Sequence, residues 1–199
     1  MKQIAVFGGT FNPIHRGHIN LCLECAKHFR FDRILLMPSN IPPHKIAHDL
    51  ASNEHRLNMC RLAAACDPIF EVSDLEMRMS GVSYTVHTVE RLRKEYPHAE
   101  LYLIVGSDML FTFHHWYRYA DILEQVHLVA GAREPEEYRK MVEYAKAHLQ
   151  DGLPVYIVHI PVLTISSTQI RDALHLGEPI DRYLDAQVYE YIVKNELYR

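Results

Sequence analysis

Two hydrophobic periods alternate along the chain. Short apolar, β-favouring runs occur at Ile4 to Phe7, Arg33 to Pro38, Ile69 to Val72, Leu101 to Val105, His127 to Ala130 and Val155 to Ile160. Between them the spacing changes to the three-and-four step of an amphipathic helix. From about Gly17 onward Ile19, Cys22, Cys25 (or Ala26) and Phe29 share a face, and Asn53 to Cys66 places Leu57, Cys60 and Ala64 inward with Arg56 near its start. Ser83-Tyr84-Thr85 opens a helix striped by Val86, Val89, Leu92 and Tyr96, and Pro135 to Leu149 carries Tyr138, Met141, Val142, Ala145 and Leu149 on one side. Ser166 and Gln169 have capping-box spacing, and residues 183–194 form a closing helix with Leu184, Val188 and Tyr191 on its buried stripe. Residues 46–52 read as an exposed link, and Asp74 to Val82 shows no clear period.

Strands alternating with helices predict an α/β fold: one doubly wound, Rossmann-like domain over 1–199 with a mostly parallel sheet. The continuous apolar strands suit a sheet covered on both faces. In such a sheet ligands bind at the carboxyl edge, and the chemistry-bearing residues fall there. Gly8-Gly9 ends the first strand, and two adjacent glycines let phosphates approach backbone N–H groups that a Cβ would shield. Pro13 then leads to His15 and His18, three apart at the positive end of a helix, a setting suited to an anion that gains charge during reaction. Pro42-Pro43 stiffens the loop after the second strand and holds out Lys45. Asp108, just past the strand at Leu101 to Val105, can accept hydrogen bonds from ribose hydroxyls or cap the following helix. Trp116, the single tryptophan, sits in a His-His-Trp-Tyr loop where a flat ring can stack on a planar ligand. Ser166 opens a second anion-accepting helix start, with Arg171 one turn in.

Composition narrows the partners. The net charge of −4 provides no global basic field, so no nucleic-acid partner is expected, and local cations must come from His15, His18, Lys45, Arg133 and Arg171. No apolar run reaches the roughly 18–20 residues of a membrane span, and Met1-Lys2 leads straight into a strand, so no membrane partner is expected. Cys22, Cys25, Cys60 and Cys66 all fall in expected helices and read as small core residues, which suits a reducing cytoplasm. Of the fourteen histidines, His44 with His48 and the pair His114-His115 invite a metal, but no third ligand stands at recognisable spacing. Neither a G-x-G-x-x-G nor a P-loop pattern is present, which weakens hydride-transfer and P-loop readings.

What stands is Gly8-Gly9-Thr10-Phe11-Asn12-Pro13-Ile14-His15-Arg16-Gly17-His18, and it resembles the GGTFDPxHxGH segment of the HxGH nucleotidyltransferase superfamily. The Pro-Pro-His-Lys loop, Gly106-Ser107-Asp108 with the Trp116 segment, and Ile165 to Arg171 extend the likeness, and the Trp116 segment with Ser83-Tyr84-Thr85 points to its nicotinate-nucleotide adenylyltransferase branch. That resemblance implies adenylyl transfer from ATP to nicotinate mononucleotide in NAD synthesis, with Mg²⁺ carried by the ATP. It implies that Gly8, Gly9, Thr10, Phe11, His15 and His18 cradle ATP and its α-phosphate, and that Gly106 and Asp108 hold the ribose. It further implies that Ser167 (beside Ser166) and Arg171 bind the triphosphate, that Lys45 bridges the reacting phosphates, and that Thr85, Trp116 and Tyr117 form the nicotinate pocket. Asn12 stands where the motif usually has Asp, which puts metal placement by that side chain in question. The rival readings are a related transferase with a nicotinamide mononucleotide, phosphopantetheine or glycerol phosphate acceptor, a non-catalytic nucleotide-binding protein, and a metal hydrolase built on the histidines. A homo-oligomer is left open.

Overall fold

A computed structural model describes residues 1–41, 49–161, 165–180 and 182–199. Strands β1 (Gln3–Gly9), β2 (Arg33–Pro38), β3 (Phe70–Val72), β4 (Glu100–Gly106), β5 (His127–Ala132) and β6 (Val155–His159) form one sheet in the order β3-β2-β1-β4-β5-β6. Every pairing is parallel. The expected mostly parallel sheet is therefore wholly parallel among the described residues.

Each central strand buries both of its faces, and this is why its sequence is a run rather than an alternation. Ala5 and Phe7 of β1 join Ile34, Leu36 and Ile104 on one side, while Ile4 and Val6 join Leu35, Met37, Leu103 and Val105 on the other. The first side is covered by α1 (Arg16–Ala26), α2 (Asn53–Ala64), α8 (Ser167–Leu176) and α9 (Ala186–Lys194), through residues such as Cys22, Met59, Ile170 and Ile192. The second is covered mainly by α4 (Thr85–Glu95) and α7 (Pro135–His148), through Val86, Val89, Leu92 and Met141. Short helices α3 (Leu75–Arg78), α5 (Ser107–Leu110) and α6 (Tyr119–Leu123) complete the connections.

Several expectations shift. The stretch from Asp74 to Val82, without a legible period, contains α3, and its Leu75 and Glu76 are buried. The inward stripe of α2 is Arg56, Met59, Cys60 and Ala63, one position out of phase with Leu57 and Ala64. Here a fully buried arginine occupies a core position that a hydrophobic pattern cannot register. Cys22, Cys25 and Cys60 are core residues as expected, with burial raising their thiol pKa values. Cys66, however, lies two residues beyond α2 and is exposed.

The order of strands reverses between β1 and β4, so connections leave the sheet on opposite sides there and open a crevice at the carboxyl ends. Gly8 and Gly9 end β1, and Gly106 ends β4.

Candidate active site

A cavity of about 390 Å³ occupies that crevice. Its β1 side is the turn from Gly8 to His18. Phe11 takes a left-handed backbone (φ +48°), a cost of about 1–2 kcal/mol for a residue with a Cβ. Its ring is almost wholly buried and packs against Phe7 (5.6 Å) and edge-on to His18 (5.2 Å). His15 caps α1, and its imidazole lies back over the first turn, stacked on His18 at 3.6 Å. Gly17 makes this possible, because a Cβ there would lie 3.0 Å from the His15 ring.

The two histidines are held differently. His15 is 6% exposed, and burial, with the Arg133 charge second, pulls its pKa down to about 4. It is therefore a neutral ring near pH 7 rather than one of the local cations, and its Nδ1 is buried without a protein hydrogen-bond partner. His18 Nδ1 accepts the backbone N–H of His15 at 3.2 Å. A ring nitrogen that accepts carries no proton, so the neutral His18 imidazole keeps its proton on Nε2.

The opposite wall is the start of α8. Ser166 and Gln169 form the expected capping box. Ser167 Oγ donates to Pro13 O (2.9 Å) and Arg171 Nη1 to Asn12 O (2.8 Å), so α8 is bonded to the histidine-bearing turn itself. His18, Ser166, Ser167 and Arg171 all line the one cavity. Arg133, at the end of β5, adds a second guanidinium to the same wall.

At β4, Asp108 folds back over Gly106: a Cβ at 106 would meet Asp108 Oδ1 at 2.6 Å. Glycine at 106 is what lets this carboxylate reach the strand end. Beyond it lie Thr85, at the start of α4, and Trp116, half-buried and packed on Phe113 at 4.8 Å. This end is tied to β2, since Asn40 N–H donates to Ser83 Oγ and Ser83 N–H to Ile41 O, both at 2.9 Å.

Of the expected site residues, the structure therefore gathers Gly8, Gly9, Thr10, Phe11, His15, His18, Thr85, Gly106, Asp108, Trp116, Ser166, Ser167 and Arg171 around one space. Tyr117 does not share it: its ring packs on Tyr84 at 4.8 Å and is about half exposed. The turn that faces Trp116 inward faces its neighbour outward. Lys45, His44 and His48 lie outside the described residues. His114 lies against a tilted His115 ring and stacks on His148, and among the described residues no three acidic, histidine or cysteine side chains converge as metal ligands.

Three participants were not singled out from sequence. Glu76 of α3 lines the cavity, buried, accepting a hydrogen bond from Thr88 Oγ1 at 2.7 Å, and burial raises its pKa. Ser39, at the end of β2, presents a buried hydroxyl with no protein partner in the same wall. Arg56 braces the turn from Gly8 to His18 from behind, donating to Thr10 O (2.8 Å) and Ala51 O (3.1 Å). An acidic residue inside an otherwise apolar Leu75-Glu76-Met77 step was the one available signal for Glu76.

Asn12 also has a definite place. Its side chain is buried among protein partners: Nδ2 donates to Asp49 O (2.9 Å), while Oδ1 accepts from Ala51 N–H (3.0 Å) and Tyr198 O–H (2.7 Å). The amide holds the turn together.

A parallel sheet in this strand order, with two helix starts and two guanidiniums facing one cleft at its switch point, defines an α/β protein of the nucleotide-binding class. Residues 6–173 match the model of the cytidylyltransferase-like family. The chain is 37% identical over 200 residues to a probable nicotinate-nucleotide adenylyltransferase of Carboxydothermus hydrogenoformans, covering 99% of this chain and 98% of that one. It is 33% identical over 198 residues to the nicotinate-nucleotide adenylyltransferase of Bacillus subtilis, covering 100% and 99%. In fold it is similar to the Plasmodium falciparum nicotinic acid mononucleotide adenylyltransferase complexed with NaAD, with a TM-score of 0.79 and 19% identity over 100% of this chain and 98% of that one. The chain belongs to the cytidylyltransferase-like family and, within it, to the nicotinate-nucleotide adenylyltransferases.

Proposed function

We propose that the protein transfers the adenylyl group of ATP to nicotinate mononucleotide, forming nicotinate adenine dinucleotide and pyrophosphate. The observation that carries this reading is the single cavity shared by the α1 start with His18, the α8 start with Arg171, and the Thr85–Trp116 end. A triphosphate spans the first two, and a pyridine ring fits against the third.

The mononucleotide phosphate attacks the α-phosphorus of ATP in line, and pyrophosphate leaves. A phosphate dianion is already a nucleophile, so no protein base and no covalent intermediate is required. Catalysis consists of holding two repelling anions in line and stabilising charge on the nonbridging and leaving oxygens. His18 donates from Nε2 to the α-phosphate, its orientation set by the Nδ1 bond to His15 N–H. His15 serves as a neutral wedge that fixes the His18 ring by stacking. The α8 start and Arg171 take the leaving pyrophosphate, with Arg133 adding charge to the same side and Lys45 bridging the phosphates. Asp108, bent over Gly106, accepts from the ribose hydroxyls of the adenosine. Trp116 stacks on the pyridine, and backbone N–H groups at the start of α4 and in the Trp116–Tyr117 segment receive its carboxylate.

Mg²⁺ enters as part of the ATP substrate and neutralises its phosphates. The Asn12 side chain is committed to Asp49, Ala51 and Tyr198, so it is not free to place the ion.

The test is pyrophosphate release from ATP against a panel of acceptors. Nicotinate mononucleotide is expected to exceed nicotinamide mononucleotide by more than about tenfold in kcat/KM, roughly 1.4 kcal/mol. A smaller ratio, or faster turnover with phosphopantetheine, assigns a different acceptor.

A further inference from the structure

We propose that Tyr198 is a positioning residue of the phosphate site and acts on it through Asn12. Tyr198 follows α9, is almost fully buried and does not line the cavity, so any effect on chemistry must pass through another residue. Its hydroxyl donates to Asn12 Oδ1 at 2.7 Å, across 186 positions of sequence.

The Asn12 amide has one satisfactory orientation. Ala51 N–H needs an acceptor and Asp49 C=O needs a donor, and only Oδ1 towards Ala51 with Nδ2 towards Asp49 supplies both. Tyr198 must then donate, and its O–H completes the coordination of Oδ1. The backbone oxygen of the same residue accepts from Arg171, and the neighbouring Pro13 oxygen accepts from Ser167. Only the buried Pro13 and Ile14 separate Asn12 from His15. A displacement of Asn12 is thereby passed to the histidine turn and the α8 start together. Reacting groups misplaced by about 1 Å can cost on the order of a hundredfold in rate.

The backbone around Tyr198 fits this role. Glu196 and Tyr198 both adopt left-handed conformations (φ +54° and +60°), each unfavourable for a residue with a Cβ, while Leu197 N–H closes on Ile192 O at 3.1 Å. A chain segment free to fray does not hold two such residues.

This inference rests on the adenylyl-transfer reading for its kinetic readout, and a second readout is independent of turnover. Tyr198→Phe removes the hydroxyl and keeps the ring. Expected is a fall in kcat of about five- to tenfold, the scale of one lost buried hydrogen bond, with KM for both substrates within about twofold. In an Asn12→Ala background the same change should alter kcat by less than about twofold, since its path is already cut. Amide hydrogen exchange in residues 8–18 should accelerate in Tyr198→Phe while that of residues 101–105 in β4 does not.

A wild-type kcat with a lowered Tm would mark a merely structural tie and overturn the proposal. So would full additivity of the two substitutions, or unchanged exchange in residues 8–18. A wild-type chain that releases no pyrophosphate with nicotinate mononucleotide counts against the adenylyl-transfer reading, while the exchange measurement still decides the role of Tyr198.

Discussion

The neutral His15 makes a stability prediction whose size can be worked out. Its imidazole is enclosed by the α1 start and lies near Arg133, and these together bring its pKa from the ordinary 6.5 to about 4. In the unfolded chain the same ring is solvated and takes a proton below about pH 6.5. Between these values the unfolded state binds more protons than the folded one, so stability falls as pH falls from about 6.5 to about 4 and is fully present above that window. That fall from 6.5 to about 4 amounts to about 3 kcal/mol, which for a chain of this size corresponds to roughly 6–12 °C in Tm. The perturbation is His15→Asn, which removes the titration, with urea or thermal unfolding measured for both proteins across the window. Other titrating groups, such as the buried Glu76, are common to both proteins and cancel in the difference. The wild type should lose about 3 kcal/mol more than the variant between pH 6.5 and 4. Parallel curves would show that His15 is not held neutral by burial. A bound triphosphate analogue places negative charge beside the ring, raises its pKa and should flatten the wild-type slope.

His18→Ala removes one preorganised donor and should lower kcat by about 10²–10³ while the chain still folds; unaltered steady-state rates take the ring out of the mechanism. Arg56→Met strands the carbonyls of Thr10 and Ala51 inside the fold and should cost about 1–3 kcal/mol per stranded oxygen in urea unfolding; a total loss under about 1 kcal/mol means those oxygens find other donors. Trp116→Ala should weaken mononucleotide binding by about 1–3 kcal/mol, read as KM, while KM for ATP stays put. A loss confined to KM for ATP would place the ring against the adenine, and equal losses for both substrates would refute selective stacking on the pyridine.

The sequence was most legible where a local rule governs the outcome. β2 and β4 announce themselves because a parallel strand buried on both faces must be apolar at successive positions. The Ser166–Gln169 capping box needs only residues three apart. The turn from Gly8 to His18 carries its chemistry within eleven residues, so its glycines and histidines could be read in place.

Other features depend on which elements meet, and no local period records that. Arg56 is polar by type, yet the folded chain surrounds it with backbone carbonyls from three separate loops. Cys66 matches its helical neighbours in type but falls past the helix end and is left in solvent.

By itself the sequence determined the parallel α/β order, the strand-end placement of the glycines and Asp108, and the two helix starts, since each follows from short-range pattern and chain direction. Only the tertiary structure decided that His15 is uncharged, that Trp116 and not Tyr117 lines the cavity wall, and that Asn12 is a hydrogen-bonded junction with Tyr198. The physical reason is desolvation. The charge on a ring, or the use of an amide, is set by the atoms that replace water around it, and those atoms arrive from far along the chain.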